Sequence, residues 1–290
     1  MRSKLFVPGS RPEFLAKAMA SNADGISIDL EDAVVEARKS EARRTVSDWL
    51  SEGVANPRGK TLIVRVNALD TPHFEDDILA VVRPGVHMVN LPKAETPEAV
   101  RAACAAITRA ERLQGVAARI GLLVNIETPR GLHRAAELAQ ADPRVCGLQL
   151  GLADLFEPFG IDRTDVSAVQ QTMFAVRMAA AQAGLPAWDA AFANVNDDQG
   201  FRAEAALARR MGFTGKTCIH PSQIALANEA FQPGAAEIEQ SLRILSAATK
   251  ADAQGLGAYL VDGRMIDAPF LQRARDVVAS ARRFGLIAEK

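Results

Sequence analysis

The chain predicts an α/β fold, a TIM (β/α)8 barrel with a C-terminal helical extension, from three observations. It carries eight short apolar runs, stretches of helical pattern separate most of them, and five of the runs end in charged or amide side chains. Alternating strand and helix argues for a parallel sheet, and eight such units argue for closure into a barrel. A parallel barrel gathers the carboxyl ends of its strands around one mouth.

The runs lie at 5–7, 25–30, 61–66, 86–91, 120–126, 145–150, 187–192 and 214–219. Each is rich in Val, Ile, Leu or Ala. A Pro-Gly turn after the first leads into a helix over 12–20. Ala42, Val46 and Leu50 share one face of a helix over 40–51, and after the second run the plain reading is a shorter helix over 33–43. Thr96 caps and Pro97 opens a helix over 97–113. Helices over 164–183 and 201–211 fill the later gaps, the second stopped by Gly212. The barrel is expected over 1–225 and the extension over 226–290. In that extension a helix over 235–250 precedes a Gly-rich segment, where Asp262-Gly263 suggests a tight turn between short strands. The last element is a helix over 269–284 with an amphipathic pattern.

Composition narrows the function. Hydrophobic residues are 48% of the chain, enough for a large core, but aromatics are 5%, so aliphatic side chains must fill it. A net charge of −1 argues against a nucleic-acid or anionic-membrane partner, which needs a dominant basic face, yet allows a local basic pocket for one phosphorylated ligand. Cys104, Cys146 and Cys218 are scattered without a C-x-x-C pattern or a histidine cluster, so they read as small buried hydrophobes in a reduced compartment. The apolar runs fall short of a membrane span, and the start is too short for a secretory segment. The chain reads as soluble and cytoplasmic.

The residues at the strand ends carry the chemistry. Glu127 comes directly after the fifth run and Asp154 shortly after the sixth. Neighbouring strands would bring the two carboxylates within reach of one ion, and two carboxylates plus waters suit Mg²⁺; otherwise each caps the helix after it. Arg65 sits inside an apolar strand, where an unpaired guanidinium is costly. It either satisfies a core carboxylate or binds an anionic substrate through its planar fork. Asp29, Glu31 and Asp32 crowd the second strand end. A base or a cation is needed among them, and Glu31 and Asp32 are expected around metal-bound water, while Asp29 reads as the cap of a turn. Lys93 pairs with these acids or is a solvated turn lysine. His220, before Pro221, reads as a hydrogen-bonded turn residue rather than a general base. Lys93 and Lys216 are in principle Schiff-base lysines, although a carboxylate pair would make one redundant.

Eight stretches, in order, resemble the citrate lyase beta-subunit-like family of the HpcH/HpaI aldolase superfamily. They are Leu5-Phe6-Val7-Pro8-Gly9-Ser10-Arg11, Ile28-Asp29-Leu30-Glu31-Asp32-Ala33-Val34, Val64-Arg65-Val66-Asn67, Leu91-Pro92-Lys93, Ile126-Glu127-Thr128, Gly151-Leu152-Ala153-Asp154-Leu155, Gly215-Lys216-Thr217-Cys218-Ile219-His220-Pro221 and Asp262-Gly263-Arg264-Met265-Ile266-Asp267. The resemblance implies a TIM barrel that makes or breaks a carbon–carbon bond in a 3-hydroxyacyl-CoA such as malyl-, citramalyl- or citryl-CoA. It implies Mg²⁺ on Glu127 and Asp154, and keto-acid oxygens on Arg65. Phe6, Arg11 and Lys17 match contacts to coenzyme A, the last two with its phosphates. Asp267 matches a catalytic acid/base on a lid from a neighbouring subunit, which implies a homotrimer or a multiple of it; the plain alternative is a helix cap. Two other readings stay open: a CoA-independent pyruvate aldolase of the same superfamily, and a non-catalytic or citryl-thioester subunit of a citrate lyase complex.

Overall fold

The computed structural model describes residues 1–53, 56 and 59–288. Eight parallel strands close into a barrel in sequence order: β1 Ser3–Pro8, β2 Gly25–Asp29, β3 Thr61–Arg65, β4 Met88–Leu91, β5 Gly121–Ile126, β6 Val145–Leu150, β7 Ala187–Asp189 and β8 Gly215–Cys218. Closure is direct, with Leu5 of β1 in register with Cys218 of β8 on one side and Ile26 of β2 on the other. The runs read as strands because both faces are covered. Alternate side chains point outward to the helices, as Leu62 and Val64 do, and all of β2 is buried.

Helices fill the gaps between strands. Ala42, Val46 and Leu50 form the buried face of Lys39–Ser51, as their spacing requires. The helix expected over 33–43 is not formed: a turn leads into a short 3-10 segment, Glu36–Arg38, and the α-helix begins only at Lys39. Asp29 is the reason. Its carboxylate accepts the backbone N–H groups of Glu31 at 2.9 Å and Ala33 at 3.1 Å, which folds the chain into a turn. Pro97–Gln114 is capped by Thr96, whose side chain accepts from Ala99 N–H, and ends on left-handed Gly115. Sequence reading overlooked several short helices, among them Phe74–Val81, Pro129–His133, Ala135–Ala139 and Ser222–Phe231.

The chain divides into two compact units, Met1–Phe231 and Gln232–Lys290. The second contains helices Ala235–Ala253 and Ala268–Arg283 and an antiparallel pair, β9 Tyr259–Val261 and β10 Arg264–Ile266. Its core gathers Ile244, Ile266 and Ala274. Asp262 and Gly263 both have positive φ, 52° and 76°, the backbone of a two-residue hairpin turn. Among the described residues no helix is long and apolar enough to cross a membrane. Cys104 and Cys218 are buried and Cys146 half-buried, all three as free thiols.

Candidate active site

The strand ends build the site from β2 round to β6. Asp29, the last residue of β2, is buried and faces Arg65, the last residue of β3. The guanidinium grips it with two bonds, Nε to Oδ1 at 2.7 Å and Nη2 to Oδ2 at 2.6 Å. Its Nη1 reaches Glu31 at 2.8 Å and Asp32 at 3.4 Å. Burial works against the Arg65 charge, but Asp29 and Glu31 outweigh it and raise the guanidinium pKa further. Arg65 thus satisfies a core carboxylate and also lines the pocket at the mouth.

Lys93 is a partner of the acids, not a solvated turn lysine. Its ammonium reaches Glu31 at 2.6 Å and Asp32 at 3.4 Å. Its backbone is held at φ 51°, an uncommon conformation for a side-chain-bearing residue. There its N–H donates to Glu127 Oε1 at 2.7 Å. Lys39, which sequence reading passed over, ties the same turn from behind through the carbonyls of Leu30 and Glu31 and through Asn67 Oδ1 at 2.6 Å. Asn67 is held in turn by buried Asp77.

Glu127 comes directly after β5 and is buried, with Oε2 accepting from Asn125 at 3.1 Å. Burial, with Glu31 and Asp154 adding to it against Arg65, raises its pKa to about 7. Asp154 stands in the first turn of helix Leu152–Phe156, just after β6, and is exposed. Gly151, between them, has no side chain for a spatial reason. A Cβ there would lie 2.6 Å from both Cβ and Oε2 of Glu127.

Phe6, Asp29, Asp32, Arg65, Glu127 and Asp154 all line one pocket of about 390 Å³, and Glu31 and Lys93 adjoin it through their ion pairs. Among the described residues no group of three or more His, Cys, Asp or Glu is placed to hold a metal. Two carboxylates with space beside them are a different kind of site. Their hard oxygens fit a cation that keeps part of its water shell, and a divalent cation would offset both the burial and the nearby acids that raise Glu127.

A second, mainly apolar pocket of about 520 Å³ adjoins the first through Phe6 and Pro8, and Phe14, Lys17, Ile219 and His220 also line it. Phe14 and Ile219 are exposed. Arg11 sits at the turn after β1, 3.6 Å from Glu13. His220 is a turn residue, as expected, with Nδ1 2.8 Å from Ser222 Oγ. Lys216 is unsuited to Schiff-base chemistry. It is fully buried and locked to Asp189 and Glu204, both at 2.6 Å.

Asp267 belongs to the second unit, at the N-cap position of Ala268–Arg283. The cap reading fails: its side chain makes no cap hydrogen bond, and Oδ1 is buried without a hydrogen-bond partner among the described residues.

Fold and mouth together define a class, a parallel (β/α)8 barrel whose strand ends set paired carboxylates beside a guanidinium. The chain belongs to the HpcH/HpaI aldolase/citrate lyase family, whose model matches residues 2–221. It is 38% identical over 287 residues to the citrate lyase subunit beta of Haemophilus influenzae, covering 97% of each chain. It is 34% identical over 307 aligned positions to the L-malyl-CoA/beta-methylmalyl-CoA lyase of Rhodobacter capsulatus, covering 97% of this chain and 94% of that one. Among solved structures it is similar to the CitE protein of Mycobacterium tuberculosis in complex with magnesium, acetoacetate and coenzyme A. The TM-score is 0.77 at 32% identity, over 97% of this chain and 99% of that one.

Proposed function

We propose that the protein is a Mg²⁺-dependent carbon–carbon lyase acting on a 3-hydroxyacyl-CoA of the malyl-, citramalyl- or citryl-CoA type, giving acetyl-CoA and a 2-keto acid. One observation carries the reading: buried Glu127 and nearby Asp154 share a pocket with Arg65, and burial, with Glu31 and Asp154 adding to it, raises Glu127 to about 7. The lyase relatives and the magnesium- and coenzyme-A-bound neighbour support it.

Glu127 and Asp154 are the residues that would hold Mg²⁺. When bound, the ion polarises the keto-acid oxygen and fixes which face reacts. Arg65, positioned by Asp29, stabilises negative charge on that oxygen. Glu31, Asp32 and Lys93 orient water and ligand oxygens around the carboxylates. Phe6 and Lys17 line the apolar pocket that takes the coenzyme A arm, with Arg11 and Lys17 toward its phosphates. Asp267 takes a methyl proton from acetyl-CoA in the condensing direction and returns it in cleavage. It does so from a lid contributed by a neighbouring copy, as in a homotrimer, and the closed lid keeps water from the enolate.

The test is a panel of malyl-, citramalyl- and citryl-CoA with Mg²⁺, with the products identified by mass. Turnover of one of them supports the reading; no turnover of any, with Mg²⁺ bound, removes it. The likeness to citrate lyase subunit beta favours one second reading, a subunit working inside a complex. That reading expects co-purification with larger partners at fixed stoichiometry and no turnover by the chain alone.

A further inference from the structure

We infer that the inner floor of the 390 Å³ pocket is a subsite for a polar substituent, hydroxyl or carboxylate, on the keto-acid half of the substrate. The inference rests on the proposed lyase reading and narrows its substrate.

The interior of such a barrel is ordinarily filled by branched apolar side chains. Here two of the inward positions below the mouth are polar. Gln149 and Thr217 line the pocket, and both are buried. Gln149 Oε1 and Thr217 Oγ1 have no hydrogen-bond partner among the described residues. Asn125, on the same wall, shows what satisfaction looks like. Its Oδ1 accepts from Asn90 at 2.7 Å and its Nδ2 donates to Glu127 at 3.1 Å.

Beside Thr217, in register across β1 and β8, lies Lys4. It shares the inward face of β1 with Phe6, two residues on, and its ammonium sits 4.5 Å from the Phe6 ring centroid. Lys4 is fully buried, and its Nζ too has no hydrogen-bond partner among the described residues. Burial, then Arg65, lowers its pKa well below the usual lysine range. A ligand group that accepts hydrogen bonds or carries negative charge offsets both effects.

Two unpartnered polar groups in the pocket wall, with a third on the neighbouring strand beside Thr217, are costly to desolvate. A hydrogen atom or methyl group over them leaves that cost in place, whereas a hydroxyl or carboxylate removes it. Sites built to hydrogen-bond a substrate group discriminate strongly against the analogue that lacks it.

Calorimetry on the full-length protein saturated with Mg²⁺ tests this with pyruvate, hydroxypyruvate and oxaloacetate. At least one polar analogue is expected to bind about ten-fold tighter than pyruvate or better. Oxaloacetate alone tighter identifies a carboxylate subsite, and hydroxypyruvate alone a hydroxyl subsite. Gln149→Leu, Thr217→Val and the near-isosteric Lys4→Met are each expected to bring the preferred analogue toward the pyruvate level. Pyruvate binding as tightly as both analogues overturns the subsite and leaves the lyase reading standing, as does a preference that survives in all folded variants. Failure of all three ligands to bind the Mg²⁺-loaded protein overturns the lyase reading as well.

Discussion

Two ion clusters in the same barrel have opposite characters. Outside the sheet, Lys216 is clamped by Asp189 and Glu204, and Arg163 also reaches Glu204 at 2.6 Å. Two cations meet two acids in that cluster, and Lys216 and Asp189 are sealed from solvent. At the mouth, Asp29, Glu31, Asp32, Glu127 and Asp154 are in excess over Arg65 and Lys93, and the cluster opens onto a pocket. A balanced, closed cluster has its counter-charges already and fixes geometry. An unbalanced, open one has room for a further cation. Position on the strand, inward or outward, decides which kind forms, since residues one apart face opposite sides.

The sharpest way to break this contrast is to take away the proposed cation or one of the carboxylates proposed to hold it. Chelation with EDTA is expected to abolish turnover and Mg²⁺ to restore it. Glu127→Ala is expected to lose both turnover and metal-dependent keto-acid binding, and unchanged Mg²⁺ affinity by calorimetry would falsify the ligand assignment.

Next in size, Asp267→Ala is expected to slow acetyl-CoA proton exchange by about 10²- to 10⁴-fold while Mg²⁺ and pyruvate still bind. Full exchange in that variant removes Asp267 from proton transfer. The closed cluster responds differently. Lys216→Met strands the Asp189 charge in the interior and is expected to cost about 3–5 kcal/mol of stability in a denaturant titration. Mg²⁺ affinity of the folded variant is expected to stay the same; a large fall would mean that the two clusters are coupled.

The smallest effect is a pH dependence. A carboxyl raised from 4.5 to about 7 keeps its proton in the metal-free fold until the pH approaches about 7. Its contribution to stability is complete below pH 4.5 and is lost as pH climbs through about 7. Mg²⁺ needs the ionised form, so its affinity is expected to be about ten-fold weaker at pH 6 than at pH 8. The thermal shift it causes runs in the same order. A pH-independent shift would show that Glu127 is ionised throughout.

Much of the fold and site was legible in the sequence, and the remainder fails for physical reasons. Parallel strands covered on both faces leave runs such as Leu62-Ile63-Val64, which one can read without partners. Phe74–Val81 escapes because three acids crowd its first turn and it spans eight residues, too few for periodicity to show. The carboxylates proposed to hold metal and Arg65 stand at or just after strand ends, where a barrel makes position informative. The partner of Arg65 does not announce itself, because Asp29 lies 36 residues away and is one of three nearby acids. Lys4 and Gln149 were hidden for another reason. Each sits in or beside an apolar run, and only the inward alternation of a closed barrel tells a polar lining from a polar surface.

Gly151 carries one more consequence. It has no donor side chain, no charge and no reacting atom, yet the smallest possible side chain there would occupy the space of the Glu127 carboxylate. A mutational survey would then score position 151 as intolerant with every chemical group still in the protein. Inactivity at that position would report a displaced neighbour, and a restored void would be the only cure.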